Sequence, residues 1–192
     1  MKGNMEKFLK EYILNRRTIA ILPLVGKDER IISRVMEEED EFLVLKRPFE
    51  VIEQSCRYYG SSFSGRKEGT KELIGVTHKA PICISPTDNL YFFSTLSYTR
   101  KECAWLSHFH ITASKPLPHN TLLIKFSNHK MIKMEISKVS FDNQLHRTAQ
   151  LRSAFEDRKD RREVKSFQFA NQNELFEHTS EHEKMYVAEC DE

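Results

Sequence analysis

No apolar run in this 192-residue chain approaches the ~20 residues needed to cross a bilayer. The opening stretch, MKGNMEKFLKEYILNRR, has no uninterrupted apolar segment of the kind a secretory leader uses, so the protein is expected in the cytoplasm, away from membranes. Cysteine is scarce too. Cys56, Cys83, Cys103 and Cys190 are scattered without a CxxC pair, which argues against a disulfide framework and fits free thiols in a reducing compartment. Glycine never falls into a nucleotide-binding pattern. Gly60 and Gly65 lead into Arg66 rather than into Lys-Ser/Thr, so there is no P-loop, and there is no GxGxxG. GxSxG and HExxH are also missing, and no paired carboxylates sit in an apolar setting. No catalytic residue, cofactor or metal is expected, and the chain is not read as an enzyme.

What is present is charge, unevenly placed. Residues 165–192 hold Lys165 and Lys184 against seven acids, a net −5, which leaves +7 on the rest of a chain whose total is +2. A basic body suits a polyanion, whereas the acidic segment does not. One domain over residues 1–165 is expected, followed by an acidic, weakly ordered tail over 166–192. That tail has too few apolar residues and too much like charge to offset the entropy of ordering.

Strand-like runs cover Thr18–Val25, Glu29–Met36, Phe42–Leu45, Glu72–Thr77, Ile82–Ser85 and Leu90–Ser94. Period-two alternation over Cys103–Ile111 places Trp105, Phe109 and Ile111 on one face and Leu106, His108 and His110 on the other. Leu122–Phe126 and Met131–Ile136 predict a hairpin around Ser127–Lys130. Two helices stand out. Pro48 suits the first position of one running to Tyr59, with Gly60 just past its end, and Phe49, Ile52, Cys56 and Tyr59 fall on one face. A longer helix from about Phe141 to Arg158 closes the body, its stripe formed by Phe141, Leu145, Thr148 and Phe155 with Leu151 at the margin and Arg152 inside. The fold class is therefore α+β: mainly antiparallel sheet with a short helix near 48–59 and a longer closing helix near 141–158. A helix-turn-helix is not expected, because no adjacent helix pair with a short turn is visible.

The span CRYYGSSFSGRKEGTKELIGVTHKAPICISP, Cys56 to Pro86, concentrates glycine, aromatic and basic residues. Arg57, Arg66, Lys67, Lys71 and Lys79 face only Glu68 and Glu72, a net +3. Glycine lets backbone approach a ligand closely, and Arg and Lys neutralise phosphate. The stretch from Gly60 to Gly69 is read as a loop that projects Arg66 and Lys67. The plainer alternative is a tight connection with solvated charges. Cys103, His108 and His110 raise the question of zinc, but Cys103 falls on the opposite face and no fourth ligand has suitable spacing.

CRYYGSSFSGRK, HKAPICIS, FFSTLSYTRKECAWLSHFHI and SFDNQLHRTAQLRSAFEDR, in this order, resemble the ComK family of competence transcription factors of Gram-positive bacteria. The likeness spans about residues 10–165. It implies a sequence-specific activator that binds paired A/T-rich boxes in double-stranded DNA, largely through the minor groove. It further implies a homodimer or dimer of dimers that works with RNA polymerase to switch on DNA-uptake genes. Under that resemblance the first DNA-binding candidates are Arg57, Arg66, Lys67, Lys71 and Lys79, and the second are Arg100, Lys101 and Arg147. Family members carry an aromatic-aliphatic-Pro-Lys segment after the closing helix, read by an adaptor that delivers the protein to a protease. Here Lys165–Gln172 has no proline, so such control is absent or uses another segment. Two alternatives stay open: a non-DNA interaction module docking through its tail, and a cytoplasmic enzyme using the His108/His110 face.

Overall fold

Successive residues of a strand point to opposite sides of a sheet, and in this chain both sides of the central strands are apolar. The computed structural model describes residues 7–26 and 29–161. A seven-stranded sheet has the order β1-β4-β3-β2-β7-β6-β5. Its strands are β1 (Lys7–Leu9), β2 (Thr18–Val25), β3 (Ile31–Glu37), β4 (Glu41–Val44), β5 (Ile82–Ser85), β6 (Leu90–Ser94) and β7 (Trp105–Ser107). All pairs are antiparallel except β1 with β4. A second, antiparallel sheet runs β10-β9-β8, built from β8 (Ile111–Leu117), β9 (Thr121–Phe126) and β10 (Met131–Met134). The helices are α1 (Pro48–Tyr58), α2 (Phe63–Ile74) and α3, residues 138–161.

The two faces of the large sheet have separate cores. Ile21, Phe92 and Trp105 pack with Val51 and Ile52 of α1 and Phe63 of α2. Their chain neighbours Ala20, Phe93 and Leu106 pack on the other side with Leu122, Ile124 and Phe126 of β9 and Phe141 of α3. Helices α1 and α2 thus cover one face, and the small sheet with the start of α3 covers the other. Each fully buried side chain of this size contributes about 1.5–3 kcal/mol of transfer free energy. The α+β class, the short helix and the closing helix agree with the expectation from sequence.

Several local expectations do not hold. The segment expected as a loop to Gly69 and a strand over Glu72–Thr77 forms the helix α2 as far as Ile74, and residues 75–77 that follow it are not a strand. Adjacent helices with a short turn therefore do exist, α1 and α2 joined by residues 59–62. The alternation over Cys103–Ile111 breaks at Ser107: residues 108–110 turn, leaving Phe109 58% exposed and His110 buried. On α3 the buried stripe is Phe141, Gln144, Thr148 and Leu151, rotated from the expected one, with Leu145 only half-buried. Gln144 Nε2 donates to the carbonyls of Lys79 (3.0 Å) and Ser94 (2.9 Å), which is how a polar residue holds a core position.

The chain divides into two units, Met1–Ser153 and Ala154–Glu192. Of the second, only the helical residues 154–161 are described. The expected boundary at 165 and the acidic tail over 166–192 lie outside the described residues.

Candidate nucleic-acid interface

Local capping sets where the basic side chains stand. Pro48 begins α1, and the Glu50 carboxylate accepts the Arg47 N–H at 2.7 Å. Gly60, at φ +75°, ends it, with its N–H on the Arg57 carbonyl and the Ser61 N–H on the Cys56 carbonyl, both 3.0 Å. Helix α2 starts at once: the Ser62 hydroxyl accepts the Gly65 N–H at 3.0 Å, and Gly75, at φ +70°, closes the last turn. Phe63 and Thr70 face the core, with the Thr70 hydroxyl donating to the Pro81 carbonyl at 2.9 Å.

That orientation separates Arg66 from Lys67. Arg66 lies on the inner side of α2, its Nη2 donating to the Tyr59 carbonyl at 2.9 Å and its Nε buried without a partner. The expected projection of Arg66 from a loop is therefore wrong. Its guanidinium ties α2 to the end of α1. Lys67, also half-buried, flanks the other side of the Phe63–Thr70 stripe and lies over the ring of Tyr98 at 5.6 Å from the centroid. Tyr98, in the connection from β6 to β7, stacks on Phe49 of α1 and meets Phe63 of α2 edge-on, each with ring centroids 5.0 Å apart.

Tyr98 is the hub of the basic surface. One cleft beside it is lined by Phe63, Lys67, Thr77, His78, Lys79 and Thr99. A neighbouring hollow adds Ser64, Glu68 and Lys71. On its other side lie Arg47, Phe49, Arg100 and Lys101. Arg147 of α3 adjoins this group, its Nη1 donating to the His78 carbonyl at 3.3 Å. Of the eight residues expected to meet DNA, the structure gathers Lys67, Lys71, Lys79, Arg100 and Lys101 around Tyr98 and puts Arg147 next to them. Arg57 does not join, being exposed on the last turn of α1 and paired with Glu53 at 3.1 Å. Arg100 shares its charge with Glu102 at 3.4 Å, and Arg47 with Glu50 at 3.2 Å. Sequence reasoning missed Arg47, His78 and Tyr98 as site residues. The signal for Tyr98 was the run Tyr98-Thr99-Arg100-Lys101, an aromatic followed by two bases.

The other reactive side chains are engaged in the fold. Burial pushes the Cys56 thiol up to about 11 and the Cys83 thiol up to about 12, and raises Cys103 as well. All three are neutral thiols at physiological pH, which makes them poor nucleophiles. The two ring nitrogens of His110 bond to the Ser127 hydroxyl (2.7 Å) and the Arg16 carbonyl (2.8 Å). Nε2 is the donor, because a carbonyl only accepts, and both ring nitrogens are thereby engaged within the protein. Burial, and secondarily the charge of Arg152, lower the pKa of His108. Among the described residues, no group of three or more His, Cys, Asp or Glu is placed to hold a metal ion, and no helix is long and apolar enough to cross a membrane.

A family model described as ComK protein matches residues 9–160, which contain every member of the Tyr98 cluster. The chain belongs to the ComK family. A competence transcription factor of Bacillus subtilis (strain 168) is 41% identical over 161 residues, covering 84% of this chain and 83% of that protein. No solved structure matches. The ComK match ends before the acidic segment, so the family's shared portion is the basic body.

Proposed function

We propose that this protein is a competence transcription factor, an activator that binds A/T-rich promoter DNA through the Tyr98 surface. The observation that carries the reading is the convergence of Lys67, Lys71, Lys79, Arg100 and Lys101 on one exposed surface in a ComK-family chain. Clustered cations supply affinity by releasing counterions from phosphate. A/T-rich minor grooves are narrow and strongly negative, and they attract basic side chains without demanding a major-groove hydrogen-bond code. The reading includes a homodimer or dimer of dimers spanning two boxes and contact with RNA polymerase. It also makes residues 166–192 dispensable for binding DNA, and Arg57 and Arg66 are removed from the primary contact set.

The α1–α2 pair favours a second reading. A short, glycine-containing turn joins these helices, and α2 carries an exposed Lys71 beside the half-buried Lys67; helix pairs joined by short turns can place their second helix in the major groove.

An electrophoretic shift comparing an A/T-box duplex with a G/C-substituted copy tests the function. Specific binding to the first, competed by the minor-groove ligand netropsin and indifferent to major-groove methylation, is expected. Sensitivity to methylation without competition would transfer the contact to α2 in the major groove. Failure to bind either duplex at low salt would end the DNA reading. Lys67→Ala should weaken both duplexes and lower the salt slope by about one phosphate's worth.

A further inference from the structure

The three-stranded sheet buries one face through Leu122, Ile124 and Phe126 and leaves the other exposed. On the exposed face the register sets Lys125 opposite Met131 on β10 and Ala113 on β8, while Leu123 stands opposite both Lys115 and Lys133. With strands about 4.8 Å apart and a two-residue step of about 7 Å, three lysine stems rise from a patch on the order of 10 Å across. Residues 111–134 contain four lysines and no acidic residue. Lys130 pairs with Glu41 at 2.9 Å. Lys115, Lys125 and Lys133 have no ion-pair partner among the described residues. Like charges on neighbouring strands repel, and no carboxylate of this segment relieves them.

The turn at the end of β8 reaches towards the Tyr98 surface through a cleft that also holds Glu135 and none of the three lysines. His119 and Asn120, at the turn that follows β8, share a cleft with Lys79, and Lys79 lines the cleft beside Tyr98. We propose that the exposed face of this sheet is a second anchor on duplex DNA, gripping the sugar-phosphate backbone through Lys115, Lys125 and Lys133. The proposal rests on the DNA reading above and adds a division of labour. An ammonium group is a point charge without the planar donor fork that reads base edges. The face therefore supplies sequence-independent affinity, and the Tyr98 surface supplies discrimination.

The test uses the full chain with Lys115→Gln, Lys125→Gln and Lys133→Gln combined, titrated against the A/T-box duplex and its G/C-substituted copy at several KCl concentrations. The slope of log K against log salt should fall by about 2–3, at roughly 0.9 for each phosphate the variant no longer neutralises. The ratio of the two affinities should stay within about twofold and the melting temperature should not change, as expected when only phosphate interactions are removed. The corresponding triple arginine variant should restore the slope. A folded glutamine variant with the wild-type slope would overturn the proposal, as would one whose A/T preference collapses. Loss of binding to phosphatidylglycerol vesicles with DNA binding intact would assign the face to lipid instead. Wild-type protein that binds neither duplex at low salt would remove the DNA reading, and this anchor with it.

Discussion

Arg66→Ala distinguishes the two roles open to a basic residue on α2, contact with DNA and attachment of the helix. In the native fold the Arg66 guanidinium donates to the Tyr59 carbonyl at 2.9 Å, at the end of α1 where carbonyls lack helical partners. A hydrogen bond from a charged donor contributes about 1.5–3 kcal/mol. Against this, the Nε of Arg66 is buried and unpartnered, and its removal returns part of that desolvation cost, about 1 kcal/mol. The net destabilisation should be about 1–2 kcal/mol, which for a chain of this size lowers the melting temperature by roughly 2–8 °C. Circular dichroism melts and the two-duplex shift assay, run side by side, supply the test. Arg66→Ala should melt early yet keep its preference for A/T at temperatures where it is folded. Lys67→Ala should melt within about 0.5 kcal/mol of wild type and bind less tightly. An Arg66→Ala protein that melts like wild type but no longer discriminates between the duplexes would refute the packing argument and return Arg66 to the DNA interface.

His108 is held neutral by burial and by Arg152, so its folded pKa lies below the usual 6.5. Its contribution to stability is complete above that value and is lost as pH falls through the folded pKa, because the unfolded chain takes up the proton first. His108→Gln should flatten the decline of melting temperature below pH 6.5, and equal slopes in the two proteins would contradict this. Gly60→Ala should lower stability by about 1–2 kcal/mol through its φ of +75° alone, since an added Cβ would meet nothing within 4 Å; an unchanged denaturation midpoint would rule that out. In a Cys190→Ser background, native protein should resist iodoacetamide at neutral pH and gain three reactive thiols on unfolding, because Cys56, Cys83 and Cys103 are buried. Rapid native labelling would show that the core opens.

Elements whose local signals agreed with the tertiary fold were legible in the sequence. β5 and β6 were readable because apolar runs flank the turn residues Ser85-Pro86-Thr87-Asp88-Asn89, and α1 because Pro48 and Gly60 bracket it. Helix α2 was not, since Gly65 and Gly69 each weaken a helix by about 1 kcal/mol and only Phe63 and Thr70 are buried on it. Packing against α1 and β5, with the Ser62 and Gly75 caps, overrides those glycines. Strand β8 was hidden by its two-sided exposure and by Pro116, which an edge strand tolerates. The short parallel partner β1 carries no local mark of pairing with β4, some distance along the chain. In the site, charge pointed to Lys67, Lys71 and Lys79, but whether Arg66 faces in or out depends on where α2 begins. A loop assignment therefore sent it to the wrong side. Tyr98 was passed over because its role as hub comes from Phe49 and Phe63, which reach it only through the fold.

The pairing of β2 with β7 has a bearing on synthesis. Ile21 lies beside Trp105, so the middle of the large sheet joins an early strand to a late one. While the ribosome makes the roughly 80 residues between them, which takes about 4–16 s at 5–20 residues per second, one edge of β2 waits without its partner. A nascent chain stalled before Trp105 presents an apolar, unpaired strand edge built from Ile19, Ala20 and Ile21, the kind of surface that chaperones bind and that seeds aggregation. A pause within the first hundred or so codons lengthens the time for which that edge stands without its partner.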